Sequence, residues 1–140
     1  MKKIVIFASG SGTNAENIIQ HFKSTNTATV VSIFTNNPNA KVIERANNFQ
    51  IPTEIFSKED LYSGKVLLKL LNIDPDLIVL AGFLLKFPES IVASYPNAII
   101  NIHPALLPNY GGKGMYGMNV HNAILENKEK ETGITVHYVN

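Results

Sequence analysis

Short apolar runs rich in Val, Ile and Phe alternate along this chain with segments whose apolar positions recur at helical spacing. Residues 3–8 (KIVIFA) predict a first strand, closed by a glycine turn over 10–13. In residues 14–23, Ile18, Ile19 and Phe22 fall on one face, which predicts a helix. A second strand follows over 28–35 (ATVVSIFT), stopped by the turn-rich NNPNA, and then a second helix over 40–49. PTEIF is a short third strand. Ser57 and Asp60 stand at capping-box spacing before a helix with Val66, Leu67, Leu70 and Leu71 inward. Residues 76–82 (DLIVLAG) predict a fourth strand, 88–94 a short helix and 98–102 (AIINI) a fifth strand. A helix over 120–127 and a sixth strand over 133–139 (GITVHYV) complete the pattern.

Strands that are apolar on both faces and alternate with helices imply a mostly parallel sheet covered on both sides, a Rossmann-like α/β fold. No repeat, linker or low-complexity segment interrupts the chain, so 1–140 is expected to be a single domain. The segment 109–119 (NYGGKGMYGMN) holds four glycines and fits no regular element. Loops of that length inside a compact domain are usually functional or mobile. The chain stops directly after an apolar strand with nothing to cover it, so its C-terminal part is expected to be missing.

Composition narrows the classes. Hydrophobic residues make up 45% and charged residues 16%, which describes a globular chain. A net charge of +1 offers nothing to nucleic acid or an anionic membrane. The absence of cysteine removes thiol nucleophiles, disulfides and cysteine-ligated zinc, and it fits a reducing compartment. No stretch approaches the roughly 20 apolar residues of a membrane span, and the N-terminal apolar run meets a glycine turn at once. The expectation is a soluble, cytoplasmic protein.

ASGSGTNAEN places Gly10, Gly12 and Ala15 in a G-x-G-x-x-A pattern between strand and helix. Glycines let the backbone approach a phosphate, and the N–H groups of Gly12, Thr13 and Asn14 then sit where the helix dipole favours an anion. A dinucleotide site would also want an acid at the end of the second strand. Thr35-Asn36-Asn37 stands there instead, so the turn suits a phosphate better than NAD. A plain strand-to-helix connection remains open on this turn alone. After the fourth strand, the backbone of 84–86 with Phe83 and Leu85 could line an apolar slot for a flat ring; ordinary packing is the blander alternative.

Asn101 and His103 share one face of the fifth strand by period-two alternation, at the same sheet edge as the glycine turn. An amide donor beside an imidazole suits acyl-type chemistry, where one stabilises a developing oxyanion and the other moves protons. Metal is a weak alternative, because His103, His121 and His137 lack known ligand spacing. Ser9 and Ser11 lie in no nucleophile elbow.

Taken in order, IFASGSGTNAENI, PDLIVLAGFL, IINIHPALLPNYGG and ETGITVHYV resemble the phosphoribosylglycinamide formyltransferases of purine biosynthesis across nearly the whole chain. The resemblance implies a formyltransferase fold. It also implies transfer of a formyl group from 10-formyltetrahydrofolate, the co-substrate, to the amine of glycinamide ribonucleotide, without a metal. Asn101 and His103 match the family's catalytic Asn and His. Gly12, Thr13 and Asn14 match its phosphate-binding residues. Leu84, Leu85, Lys86 and Phe87, with Asn101, match the residues that hold the folate. Lys58 is the nearest match to a basic residue that contacts the cofactor.

The resemblance also implies a catalytic Asp a few residues after the strand that ends VHYV, a position that the sequence, ending at Asn140, does not reach. His137 is expected to support the site from behind the catalytic pair, or else to be a satisfied strand histidine. Residues 1–100 would form the phosphate-binding half and 101–140 the start of the folate and catalytic half. The partners implied are the two small molecules and a second copy in a homodimer, with no nucleic acid or membrane. Two alternatives stand beside this reading: a formyltetrahydrofolate hydrolase, and an inactive fragment that only binds phosphate.

Overall fold

The computed structural model describes residues 1–103 and 135–140, with the side chains of His103 and Thr135 excepted. The helix expected over 120–127 and the glycine-rich segment 109–119 lie outside the described residues. The elements run β1 (Lys2–Phe7), α1 (Thr13–Lys23), β2 (Ala28–Thr35), α2 (Lys41–Asn48), β3 (Thr53–Ile55) and α3 (Lys58–Ser63). They continue with α4 (Lys65–Ile73), β4 (Leu77–Ala81), α5 (Glu89–Ser94), β5 (Ile99–His103) and β6 (Thr135–Tyr138).

All the described strands join one sheet in the order β3-β2-β1-β4-β5-β6. The pairs are parallel except β5 with β6, which is antiparallel. This is the expected mostly parallel α/β architecture. The direction of the last strand is new, because an apolar run does not encode which way its partner runs.

Alternation along each strand feeds two cores. Ile4, Ile6, Ile33, Val79 and Ile100 pack under Ile18 and Ile19 of α1 and Val42 and Ala46 of α2. Val5, Phe7, Phe34, Ile78 and Ile99 pack on the other face under Leu61, Val66, Leu70 and Ile91. Each buried Val, Leu, Ile or Phe side chain contributes about 1.5–3 kcal/mol. β2 bulges at Val31, opposite the step from Ile4 to Val5, whose partners are Val30 and Ser32. The bulge lets Val30 and Ile33, three apart in sequence, face the same core.

One expected element divides. Ser57 does cap α3: its hydroxyl accepts from the Asp60 N–H at 3.0 Å and the Asp60 carboxylate accepts from the Ser57 N–H at 3.2 Å. The helix then stops at Gly64, whose φ of 102° is left-handed, and restarts as α4. Val66 and Leu70 point inward and Leu67 is partly buried, as expected. Leu71 does not: it is 49% exposed, because the break resets the rotation of α4.

Candidate functional site

β1 continues through α1 to β2 on one side, while β4 lies against it on the other, so the strand order reverses between β1 and β4. In open α/β sheets the carboxyl edge at that reversal is where ligands bind. The glycine turn leaves β1 there, and residues 82–87 leave β4 beside it.

Gly12 is buried, with a φ of 77°, and caps α1 without any side-chain bond to the first helical N–H groups. Thr13 is exposed and Asn14 half-buried at the helix start. Two anchors hold the turn from α2. The Val42 N–H donates to the Gly10 carbonyl at 3.1 Å, and Arg45 Nε donates to the Ser11 carbonyl at 2.5 Å. Arg45 also pairs with Glu16 of α1.

Ser9, at the tip of β1, ties the two lips of the crevice together. Its hydroxyl donates to Asn36 Oδ1 at 2.7 Å and accepts from the Leu84 N–H at 3.0 Å. Its own N–H donates to the Gly82 carbonyl at 3.1 Å, and Asn37 Nδ2 donates to its carbonyl at 3.4 Å. A hydroxyl has one proton to give, and this one is committed to Asn36. Asn36 and Asn37, at the place where a dinucleotide site would want an acid, are thus structural ties to β1.

The 82–87 loop is pinned by its aromatic residues. Phe83 and Phe87 pack edge-on against Phe7, with ring centroids 5.3 and 4.9 Å away. Tyr62 Oη donates to the Lys86 carbonyl at 2.6 Å. Leu84 is left 82% exposed. Lys58 opens α3 as an exposed residue.

Asn101 of β5 stands directly opposite His137 of β6 in the antiparallel register. Directly opposed residues put their side chains on one face within about 5 Å at Cβ. Both line a cavity of about 1030 Å³ whose walls include Leu80, Leu85, Lys86 and Phe87. The cavity is floored by the β4 and β5 ends and walled by α5, mostly with apolar side chains. His103 ends β5 two residues beyond Asn101, paired with Thr135; the expectation about its side chain lies outside the described residues.

The structure therefore brings Asn101, His137, Leu85, Lys86 and Phe87 together around one cavity. Leu84 and the turn residues Gly12, Thr13 and Asn14 are not among its walls. Sequence reading missed Ser9, Asn36, Arg45 and Glu16 as parts of this edge. Only the pairing of a polar residue with an otherwise apolar strand end could have signalled Ser9.

An open, doubly wound, mostly parallel sheet whose strand order reverses between β1 and β4 defines the fold class. Residues 2–140 match the family described as formyl transferase, and the chain belongs to that family. It is 36% identical over 146 residues to the chloroplastic phosphoribosylglycinamide formyltransferase of Arabidopsis thaliana, covering 99% of this chain and 50% of that protein. Against the phosphoribosylglycinamide formyltransferase of Bacillus subtilis it is 37% identical, covering 99% of this chain and 72% of the relative. The solved glycinamide ribonucleotide transformylase 1 of Geobacillus kaustophilus superposes with a TM-score of 0.75 at 35% identity, over 100% of this chain and 75% of its own. The chain spans about half the length of the plant relatives that it matches, 50% and 46%.

Proposed function

We propose that this chain supplies the substrate-binding edge and part of the catalytic centre of a glycinamide ribonucleotide formyltransferase that uses 10-formyltetrahydrofolate. The observation that carries this reading is the Asn101–His137 pair opening on an apolar cavity at the same sheet edge as the glycine turn. Family membership and named relatives support it.

In this reading the 5′-phosphate of the acceptor sits at the N–H groups of Gly12, Thr13 and Asn14. The folate ring system lies in the cavity beside Leu84, Leu85, Lys86 and Phe87. The cavity suits it: about 1030 Å³ of mostly apolar walls with a few polar groups is the usual form of such a site. The acceptor amine forms a C–N bond to the formyl carbon, the bond from that carbon to the folate nitrogen breaks, and a proton passes from the amine to the folate. The Asn101 amide donates to the oxyanion that develops on the formyl oxygen. His103 moves the proton, and His137 orients the Asn101 side of the pair. Cytoplasmic location and a homodimer belong to the same proposal.

The test is a formyl-transfer assay with both substrates, on the 140-residue chain and on the gene product read to its stop codon. Transfer by the gene product read to its stop codon is expected. His103→Ala in that form is expected to lower turnover about 100-fold or more, the scale of losing an acid–base or oxyanion group. Formate release without an acceptor would assign a hydrolase instead. Binding of the phosphorylated acceptor with no turnover in either form would leave a binding module.

A further inference from the structure

We infer that Arg45, on α2 and outside the substrate cavity, is a positioning residue that aims the glycine turn at the acceptor phosphate. This rests on the phosphate reading above and adds the device that makes the turn competent.

The argument begins with peptide geometry. In a trans peptide the C=O and the following N–H point in opposite directions. The Gly10 carbonyl is held by the Val42 N–H, so the Ser11 N–H must face away from α2. The Ser11 carbonyl is held by Arg45 Nε at 2.5 Å, so the Gly12 N–H faces away as well. The Gly12 carbonyl accepts from the Glu16 N–H at 2.8 Å inside α1, which sends the Thr13 N–H out of the helix start. Three consecutive N–H groups are therefore fixed by what their opposite carbonyls hold. A row of such groups ahead of a helix is an anion cradle.

Two of those three locks need nothing but backbone. The middle one depends on a side chain. Arg45 reaches it as a fork, with Nε on the Ser11 carbonyl and Nη1 on the Glu16 carboxylate. Glu16 steadies the guanidinium from α1, so the fork ties α2, the turn and α1 into one unit. A planar guanidinium does this; an ammonium on a flexible stem can serve either partner but not both in the same geometry. Without the fork the Ser11–Gly12 peptide is free to rotate, and the cradle loses its central donor.

The experiment measures binding by calorimetry in the gene product read to its stop codon. The ligands are glycinamide ribonucleotide, its phosphate-free nucleoside and 10-formyltetrahydrofolate. Arg45→Ala is expected to weaken the phosphorylated acceptor about tenfold, the worth of one properly aimed hydrogen bond to a charged group. Affinity for the nucleoside and for the folate should stay within about twofold. In steady state the loss should appear in KM for the acceptor, with kcat at saturation nearly unchanged. Arg45→Lys should recover only part of the affinity.

A general loss of structure would weaken all three ligands alike and would overturn the assignment. Should Arg45→Ala fail to fold, Arg45→Lys carries the test: wild-type affinity for the phosphorylated acceptor in that variant overturns the fork. Wild-type protein that binds the nucleoside as tightly as the nucleotide overturns the phosphate reading, and this inference with it. Phosphate discrimination that survives unchanged in both variants overturns the Arg45 role alone.

Discussion

A methyl group placed on Gly12 would lie 2.5 Å from Cγ2 of Val42, and the residue's φ of 77° already disfavours any side chain. Gly12→Ala must therefore push α2 away from the turn or change the backbone. It is expected to cost about 1–3 kcal/mol of stability, read as a lower urea midpoint at unchanged slope. Ser9 carries a different kind of constraint. It is 6% exposed, and its hydroxyl serves Asn36 and the Leu84 N–H at once. Ser9→Ala leaves both partners without it, and a loss of about 1–3 kcal/mol is expected for such orphaned groups. Hydrogen exchange at the Leu84 amide should quicken more than exchange in β3.

At the scale of elements, α3 and α4 show how a helical period is read and misread. The capping box at Ser57 was legible because it is local: two residues three apart, with nothing else required. The break at Gly64 was not, because a lone glycine in a helical pattern is equally compatible with a continuous helix. The consequence falls on adjacent leucines. Leu70 is fully buried, while Leu71 is 49% exposed beside Leu68 at 67%. Leu70→Ala is expected to destabilise by about 2–5 kcal/mol and Leu71→Ala by about 0.5 kcal/mol or less. Thermal or denaturant melts of the two variants check this.

The same cap sets a pH dependence. The Ser57 N–H, then the Ser57 hydroxyl contact and the nearby Lys65 and Lys69 charges, hold the Asp60 carboxyl below its ordinary range. A carboxylate with a lowered pKa in the folded state stabilises at pH above the ordinary value of 3.8 and loses that contribution as pH falls through the lowered one. Wild type should therefore exceed Asp60→Asn in stability at neutral pH, with the gap closing below about pH 4.

For the whole molecule, the strand–helix alternation made the sheet and its two-sided core readable from the sequence. Fully apolar strands such as β4 have only one home, and the carboxyl edge follows from parallel pairing. What escaped was long-range and polar. The Ser9 contacts join residues 27 and 75 apart, and Arg45 reaches back 34 positions to Ser11. No local spacing announces such partners. The bulge in β2 escaped for a related reason, since it is defined by the opposite strand and not by its own residues. Asn101 stands out in the sequence because an amide interrupts an apolar strand, and His137 by its place on the last strand; what the register of β6 adds is that the two stand directly opposite each other.

The single hydroxyl at the tip of β1 has a further consequence for anyone who wishes to rebuild this crevice. The two lips are not interchangeable modules. The third amide of the 82–87 segment, that of Leu84, donates to the Ser9 hydroxyl at 3.0 Å, and the same hydroxyl fixes the opposite lip through Asn36. Any redesign of one lip is therefore also an edit of the other, and chimeras should be drawn so that Ser9, Asn36 and the 82–87 segment travel together.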